Sequence, residues 1–357
     1  MSKTKINRTK IIATIGPSSS DYNILKDMIS RGVDVVRLNF SHGSHEDHLQ
    51  TIKNVRKISD EIKVPITILQ DLQGPKIRVG KLKKDKFFID DDSTLMITSE
   101  NIEGDKDIIS IDNDVINDIR VGERILIDDG KLELKVTENS KKHILAKVLR
   151  GGYILPRKGV NLPESDIKLS SITQKDIEDL KFGLKNGVDW VALSFVRSDK
   201  DILELKSLIN KEGYETKIIA KIEKPQAIKH INEIIDYSDG LMVARGDLGV
   251  EMPMETVPVH QKKIVKKCNL ACKPVIIATQ MLESMINSKT PTRAESNDVA
   301  NAVLDGADAV MLSGETSVGK HPIEVIQTIS SIIGKVENSN LISLKHKHPT
   351  DYDSERF

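Results

Sequence analysis

The sequence has little of several things. Only two of its 357 residues are cysteine, so a disulfide framework is excluded. Cys268 and Cys272 lie four apart, which reads as a buried, reduced pair on one helix. Neither sign of charge is in excess. The 53 basic and 53 acidic side chains sum to a formal net charge of zero. That leaves no electrostatic footprint for nucleic acid or for an anionic membrane. No apolar run is long enough to cross a bilayer, and the start carries no signal-peptide pattern. These absences point to the cytoplasm. The charges are interspersed, as on an ordinary solvated surface. The length suits one large domain plus a smaller one, or two of middling size.

What is present is an alternation. The apolar run 11–16 reads as a buried strand. Helical periodicity over 21–31, opened by Asp21 and closed by Gly32, precedes the strand 35–39. A helix over 45–62 precedes the strand 66–69. Short apolar runs between amphipathic helices are the signature of βαβ units. From Val79 to Leu169 the pattern breaks into short alternating segments with Asp-Asp-Gly and Asn-Ser turns, as in a small antiparallel β domain. Beyond it come helices at 173–186, 199–211, 225–236, 256–272, 294–305 and 322–336. The strands there are 190–194, 217–222, 240–245, 274–279 and 309–313. About eight strand–helix pairs predict an α/β protein: a (β/α)₈ TIM barrel with an inserted small antiparallel β-barrel domain. A doubly wound open sheet is the rival. The expected division is barrel 1–78, insert 79–169, barrel 170–338 and a polar tail 339–357.

In such a barrel the chemistry sits at the C-terminal strand ends. Those ends carry Arg37-Leu38-Asn39-Phe40-Ser41, Gln70-Asp71, Lys221-Ile222-Glu223, Arg245-Gly246-Asp247, Thr279 and Ser313-Gly314-Glu315. Side chains alternate along a strand, so Lys221 and Glu223 point the same way. Charged groups there are expensive to desolvate unless paired or used. Glu223 and Asp247, on neighbouring strands, offer the hard oxygen ligands that Mg²⁺ takes alongside water and substrate. Lys221 adds a point charge, Arg37 a bidentate grip on phosphate, and the Gly246 and Asp247 N–H groups a cradle for a carboxylate. Together they predict a clamp for a transferring phosphoryl group. A structural ion pair is the plain alternative for Lys221 and Glu223.

Two motifs mislead. The stretch 314–320 begins like a P-loop, but His321 stands where Ser or Thr is needed. His42, His45 and His48 have helical spacing, yet no Cys or carboxylate completes a metal site, and they read as a surface cluster.

The strand-end segments resemble pyruvate kinase. The resemblance is carried by Thr9-Lys10-Ile11-Ile12-Ala13-Thr14-Ile15-Gly16-Pro17, Arg37-Leu38-Asn39-Phe40-Ser41-His42-Gly43, Gln73-Gly74-Pro75-Lys76-Ile77-Arg78 and Lys158-Gly159-Val160-Asn161-Leu162-Pro163. It continues through Ala220-Lys221-Ile222-Glu223, Val243-Ala244-Arg245-Gly246-Asp247, Ala278-Thr279-Gln280, Pro291-Thr292-Arg293-Ala294-Glu295 and Met311-Leu312-Ser313-Gly314-Glu315-Thr316. These lie in family order over residues 8–336.

The resemblance implies that phosphoenolpyruvate and ADP give pyruvate and ATP in glycolysis. Lys221 would stabilise the transition state. Glu223 and Asp247 would ligate Mg²⁺, with Mn²⁺ an alternative ion. Arg37 would bind the substrate phosphate, and Gly246, Asp247 and Thr279 its carboxylate. Asn39, Ser41, Asp71 and the Leu72 carbonyl match monovalent-cation ligands. Asn39, His42, Arg78 and Lys158 would meet the nucleotide, and the insert would close as a lid. Thr279 and Ser313 are candidates for the proton relay.

Departures matter. Leu72 replaces the usual Thr, and Lys76 replaces the usual Glu, so Lys76 could stand in for K⁺ and make K⁺ dispensable. Glu164 stands where Gly is common. The family's C-terminal effector domain is not expected, and barrel contacts would make a homodimer or tetramer. Two rivals remain: a Mg²⁺-dependent barrel lyase or aldolase acting through a pyruvate enolate, and an inactive paralogue acting as a binding module.

Overall fold

The computed structural model describes residues 7–111, 115–165, 167–339 and 341. Eight parallel strands close into a barrel in the order β1-β16-β15-β14-β13-β12-β3-β2. They are β1 (Lys10–Thr14), β2 (Val33–Asn39), β3 (Thr67–Asp71), β12 (Trp190–Leu193), β13 (Lys217–Ile222), β14 (Gly240–Ala244), β15 (Val275–Ala278) and β16 (Ala309–Leu312). The rival open sheet is excluded, because β1 pairs with both β2 and β16. Inside the barrel, Ile12, Leu69, Ile219, Met242, Ile276 and Met311 pack against one another. The opposite strand faces pack on the outer helices, so the strands are mainly apolar, as a sheet covered on both faces requires, with polar residues gathered towards their ends.

Local signals explain the helices. α1 (Tyr22–Arg31) starts at Asp21, whose carboxylate accepts from the N–H groups of Asn23 and Ile24. It stops at Gly32, whose φ of 137° suits a residue without Cβ. α2 (His45–Ile62) opens with a capping box in which Ser44 and Asp47 satisfy each other's backbone. Its buried stripe is His48, Thr51, Ile52, Val55, Ile58 and Ile62. His48 is therefore not a surface residue. It is the first residue of the core face, and its ring stacks on Phe40 at 4.1 Å.

After β3 the chain leaves the barrel at Gly74, where a Cβ would meet the Phe195 ring at 2.8 Å. The insert holds β4 (Phe87–Ile89), β5 (Thr94–Thr98), β6 (Ile108–Ser110), β7 (Arg124–Ile127), β8 (Leu132–Asn139), β9 (His143–Arg150), β10 (Gly152–Ile154) and β11 (Val160–Asn161). Six form one sheet in the order β11-β7-β8-β9-β5-β6, and β4 pairs with β10. All these pairs are antiparallel except β5 with β6. The insert has its own apolar core, which includes Val79, Leu95, Ile125, Leu134 and Ile154.

The barrel then resumes with α3 (Gln174–Lys185), α4 (Asp199–Lys211), α5 (Pro225–Lys229), α6 (Ile231–Tyr237), α7 (Arg245–Glu251), α8 (Val257–Leu270), α9 (Arg293–Asp305), α10 (Gly314–Ser317) and α11 (Pro322–Glu337). Two expectations change. The helix over 225–236 is two, broken at His230. Cys268 is buried on α8, but Cys272 lies beyond the helix end, exposed, with φ of 53°. The P-loop look-alike forms α10, a single turn. Glu315 of that turn is fully buried and accepts from the N–H groups of Leu282 and Ser313. Apart from Ser339 and Leu341, the polar tail lies outside the described residues. Among the described residues no helix is long and apolar enough to cross a membrane.

Candidate active site

Five charged side chains from β2, β3, β13 and the start of α7 converge at the C-terminal mouth. Lys221 lies at the centre. Its Nζ reaches Ser194 Oγ at 2.7 Å, Glu223 Oε1 at 2.9 Å and Asp71 Oδ1 at 3.1 Å. Arg37 Nε holds the other Asp71 oxygen at 2.7 Å, and its Nη1 donates to Thr14 Oγ1 at 2.9 Å. Asp71 is buried. Burial raises its proton affinity, but Lys221 and Arg37 overcome that and hold the carboxyl below the ordinary range. Lys221 is also buried, which favours the neutral amine, yet Asp71 and Glu223 outweigh burial and raise it further. The ammonium is thus permanently charged. Glu223 behaves differently: burial pushes its carboxyl up, Lys221 pulls it down, and Asp247 adds to the rise, leaving it raised.

The balance of charge at this mouth bears on what it can hold. Asp71, Glu223 and Asp247 supply three carboxylates around Lys221, against the cations Lys221 and Arg37. One negative charge is left over, and Asp247 adds to the rise that burial gives Glu223. A divalent cation between Glu223 and Asp247 would neutralise it. Among the described residues no three His, Cys, Asp or Glu converge as a closed metal cage. Two carboxylates with open positions suit Mg²⁺, which keeps water and substrate oxygens, rather than a structural metal.

Several residues are less free than their types suggest. Two of the five Arg37 N–H donors are already engaged, by Asp71 and Thr14. The Gly246 N–H donates to Thr279 Oγ1 at 2.7 Å, so a carboxylate placed there must displace that hydroxyl. Thr279 and Gln280 both have left-handed backbone, at φ of 70° and 55°. For a β-branched residue this is an uncommon conformation, of the kind kept at functional turns. Arg245 NH groups fix that turn by bonding the Thr279 carbonyl at 2.7 Å and Asp298 at 2.7 Å. Ser313 stands at the neighbouring strand end, its N–H held by Glu315.

The other candidates line the space between mouth and insert. His42 and Arg78 border a cleft of about 740 Å³ with Lys81 and Arg157. Burial lowers the proton affinity of His42, as do Arg78, Lys76 and Arg37. Lys158, from the insert, is held 2.9 Å from Asp128. A second cleft, about 690 Å³, is bordered by Lys76, Asp129, Gly246, Asp247 and Gln280.

The family model for the barrel domain of pyruvate kinase matches residues 6–326. The chain belongs to the pyruvate kinase family. It is 48% identical to a pyruvate kinase of Agrobacterium vitis, over 96% of this chain and 69% of the relative. It is 48% identical to pyruvate kinase 2 of Synechocystis, over 94% of this chain and 57% of that one. A solved pyruvate kinase from Cryptosporidium parvum superposes with a TM-score of 0.90 at 41% identity, over 93% of this chain and 69% of that chain.

Against the pyruvate kinase pattern, three of the four residues matched to a monovalent cation already use their oxygens as acceptors within the chain. Asn39 Oδ1 accepts from the Ser41 N–H, the Leu72 carbonyl from Ser194 Oγ, and Asp71 from Arg37 and Lys221. Lys76 does not reach them. A Cβ built on Gly159 would lie 3.2 Å from its Cε, so this side chain runs under the insert. It adds positive charge to the cleft rather than plugging the oxygen set. Sequence reasoning missed Ser194 and Phe195. Ser194 is 2% exposed and bonds Lys221, and the Phe195 N–H donates to Glu223 at 2.7 Å. The available signal was position, since both residues follow β12 at the same barrel end.

Proposed function

We propose that this chain transfers the phosphoryl group of phosphoenolpyruvate to ADP. The bond from phosphorus to the enolate oxygen breaks as a terminal ADP oxygen bonds phosphorus. The released electron pair stays on the enolate, and a proton added at its methylene carbon gives pyruvate. The observation that carries this reading is the Lys221 ammonium, buried and charged between Asp71 and Glu223. A fixed cation aimed where phosphoryl oxygens gather charge needs no reorganisation during the reaction.

Each group has its part. Arg37, oriented by Asp71, faces the substrate phosphate. Gly246, Asp247 and Thr279 receive the carboxylate. Thr279 or Ser313 passes the proton. Asn39, His42, Arg78 and Lys158 meet ADP, and the insert excludes water when it closes. Glu223 and Asp247 would hold Mg²⁺, which when bound supplies charge neutralisation at the transferring oxygens. K⁺ is dispensable in this reading, because its oxygen set already has protein donors and Lys76 supplies a cleft charge. The reaction is that of a cytoplasmic glycolytic enzyme acting as a homo-oligomer.

The test is pyruvate release from phosphoenolpyruvate, ADP and Mg²⁺ by the purified chain. ADP-dependent release is expected. Release without ADP would favour a lyase, and no release would favour a binding module.

A further inference from the structure

Three side chains from separate elements meet where the insert is seated on the barrel. Glu251 ends α7, whose first turn carries Gly246 and Asp247. Its carboxylate is 3% exposed. Glu251 Oε1 accepts from Lys224 Nζ at 2.5 Å and from Asn161 Nδ2 at 2.7 Å. Lys224 directly follows Glu223, just past the end of β13. Asn161 belongs to the insert, where it ends β11 in register with Leu126 of β7. Lys158 lies just before it on the same segment. One oxygen therefore ties the strand end that presents Glu223, the helix that presents Asp247 and the strand that follows Lys158.

A plain buried ion pair is the competing account. Such a pair needs no partner from another domain, and it gains by spreading donors over both oxygens. Here both donors crowd onto Oε1, while Glu251 Oε2 is buried with no partner among the described residues. An unmade buried hydrogen bond is costly. The arrangement gives up that stability and in return fixes the direction from which the insert approaches.

We propose that Glu251 is a positioning residue that sets the nucleotide arm of the insert, 158–161, in register with Glu223 and Asp247. The proposal rests on the reaction above in one respect, that Lys158 meets ADP. Phosphoryl transfer tolerates little misplacement, since a shift of about 1 Å can cost on the order of 100-fold in rate. Glu251 is not among the residues assigned to either substrate, so its effect reaches the reaction through the elements it ties together.

Two variants of Asn161 test this. Asn161→Ala removes the contact from the insert and leaves the Lys224–Glu251 pair whole. Asn161→Asp keeps the size and sets a carboxylate against Glu251. The expected KM for ADP rises about tenfold in Asn161→Ala and further in Asn161→Asp, the scale of one lost bond to a charged group. The KM for phosphoenolpyruvate stays within about twofold, the change expected when no substrate contact is altered. A packing role would order the variants the other way, with Asp tolerated and Ala worse. That order overturns the proposal, as does an unchanged ADP KM or an equal rise for both substrates. Amide exchange reads the register without turnover. In Asn161→Ala, 158–161 and 245–251 must lose protection together, and loss in 158–161 alone overturns the proposal. If the unmodified chain releases no pyruvate, the reaction fails, and the register is still decided by exchange.

Discussion

Lys221→Met tests the centre of the site on two axes. Methionine matches the length of the lysine stem and removes only the charge. The variant strips Asp71 of its contact at 3.1 Å and Glu223 of its contact at 2.9 Å. Asp71 keeps Arg37 at 2.7 Å, but among the described residues Glu223 keeps only the Phe195 N–H at 2.7 Å. Removing one partner of a buried pair typically destabilises by about 3–5 kcal/mol. Loss of a preorganised donor at the transferring group slows kcat by at least roughly 10²–10³-fold. The two effects separate through pH. Without Lys221, burial and Asp247 push the Glu223 carboxyl higher still. A folded carboxyl raised above its unfolded value binds more protons than the unfolded chain, so its stability is full below the unfolded value and falls as pH rises through the folded one. Thermal unfolding of the variant relative to the unmodified chain is therefore worse at pH 8 than at pH 5.5. Pyruvate release is followed by coupled NADH oxidation on folded protein. A kcat within threefold of the unmodified rate would refute the role given to Lys221. A stability difference that is flat with pH would refute the charge balance.

Other predictions follow from neighbouring contacts. Ser194→Ala deprives Lys221 of its 2.7 Å acceptor and the Leu72 carbonyl of its 2.7 Å donor. It should cost about 1–3 kcal/mol in denaturant unfolding and roughly 10–100-fold in kcat/KM, and a neutral result in both assays would remove Ser194 from the site. Exchanging K⁺ for tetramethylammonium should leave the rate unchanged, whereas Lys76→Glu, which removes the cleft cation, should make it K⁺-dependent; strong K⁺ activation of the unmodified chain would sink this. Burial lowers the proton affinity of His48, against its bond to the His42 carbonyl. A group depressed in this way contributes stability above its unfolded value of 6.5 that is lost as pH falls. The melting temperature of the unmodified chain should drop faster from pH 7 to 5 than that of His48→Gln, and parallel curves would contradict the assignment.

How much of this was legible in the sequence depended on whether a signal was local. Barrel strands are apolar runs covered on both faces, so β13 and β16 stood out. Charged strand ends stood out because burying Lys221, Glu223 and Asp71 is costly without a reason. His48 was readable in principle: it falls one helical step before Thr51, Ile52 and Val55, and only its polar type disguised a core position. Ser194 carried no charge to mark it, and a small polar residue after an apolar run is the ordinary end of a strand. Cys272 was misplaced because α8 stops at Leu270, a little earlier than Pro274 alone would place the end.

The contacts that stayed hidden share one physical cause, and it bears on how the site works. Asn161 and Glu251 are 90 positions apart, and neither residue type demands the other; only the seating of the insert brings them together. The same holds for the occupied cation oxygens. Lys76 sits where a glutamate is usual, which suggested a charge lying among Asn39, Ser41 and Asp71. In the folded chain Ser41, Arg37 and Lys221 donate to the Asn39 and Asp71 oxygens and Ser194 to the Leu72 carbonyl, while Lys76 runs beneath the insert. If the insert sets the position of that ammonium, the charge it contributes to the cleft beside Gly246 and Asp247 depends on closure. Independence from K⁺ and the register of the insert would then be linked. Asn161→Ala, by loosening the insert over Gly159, should both weaken ADP binding and make the rate partly responsive to K⁺. An Asn161→Ala enzyme with a raised ADP KM and no K⁺ response would separate the two.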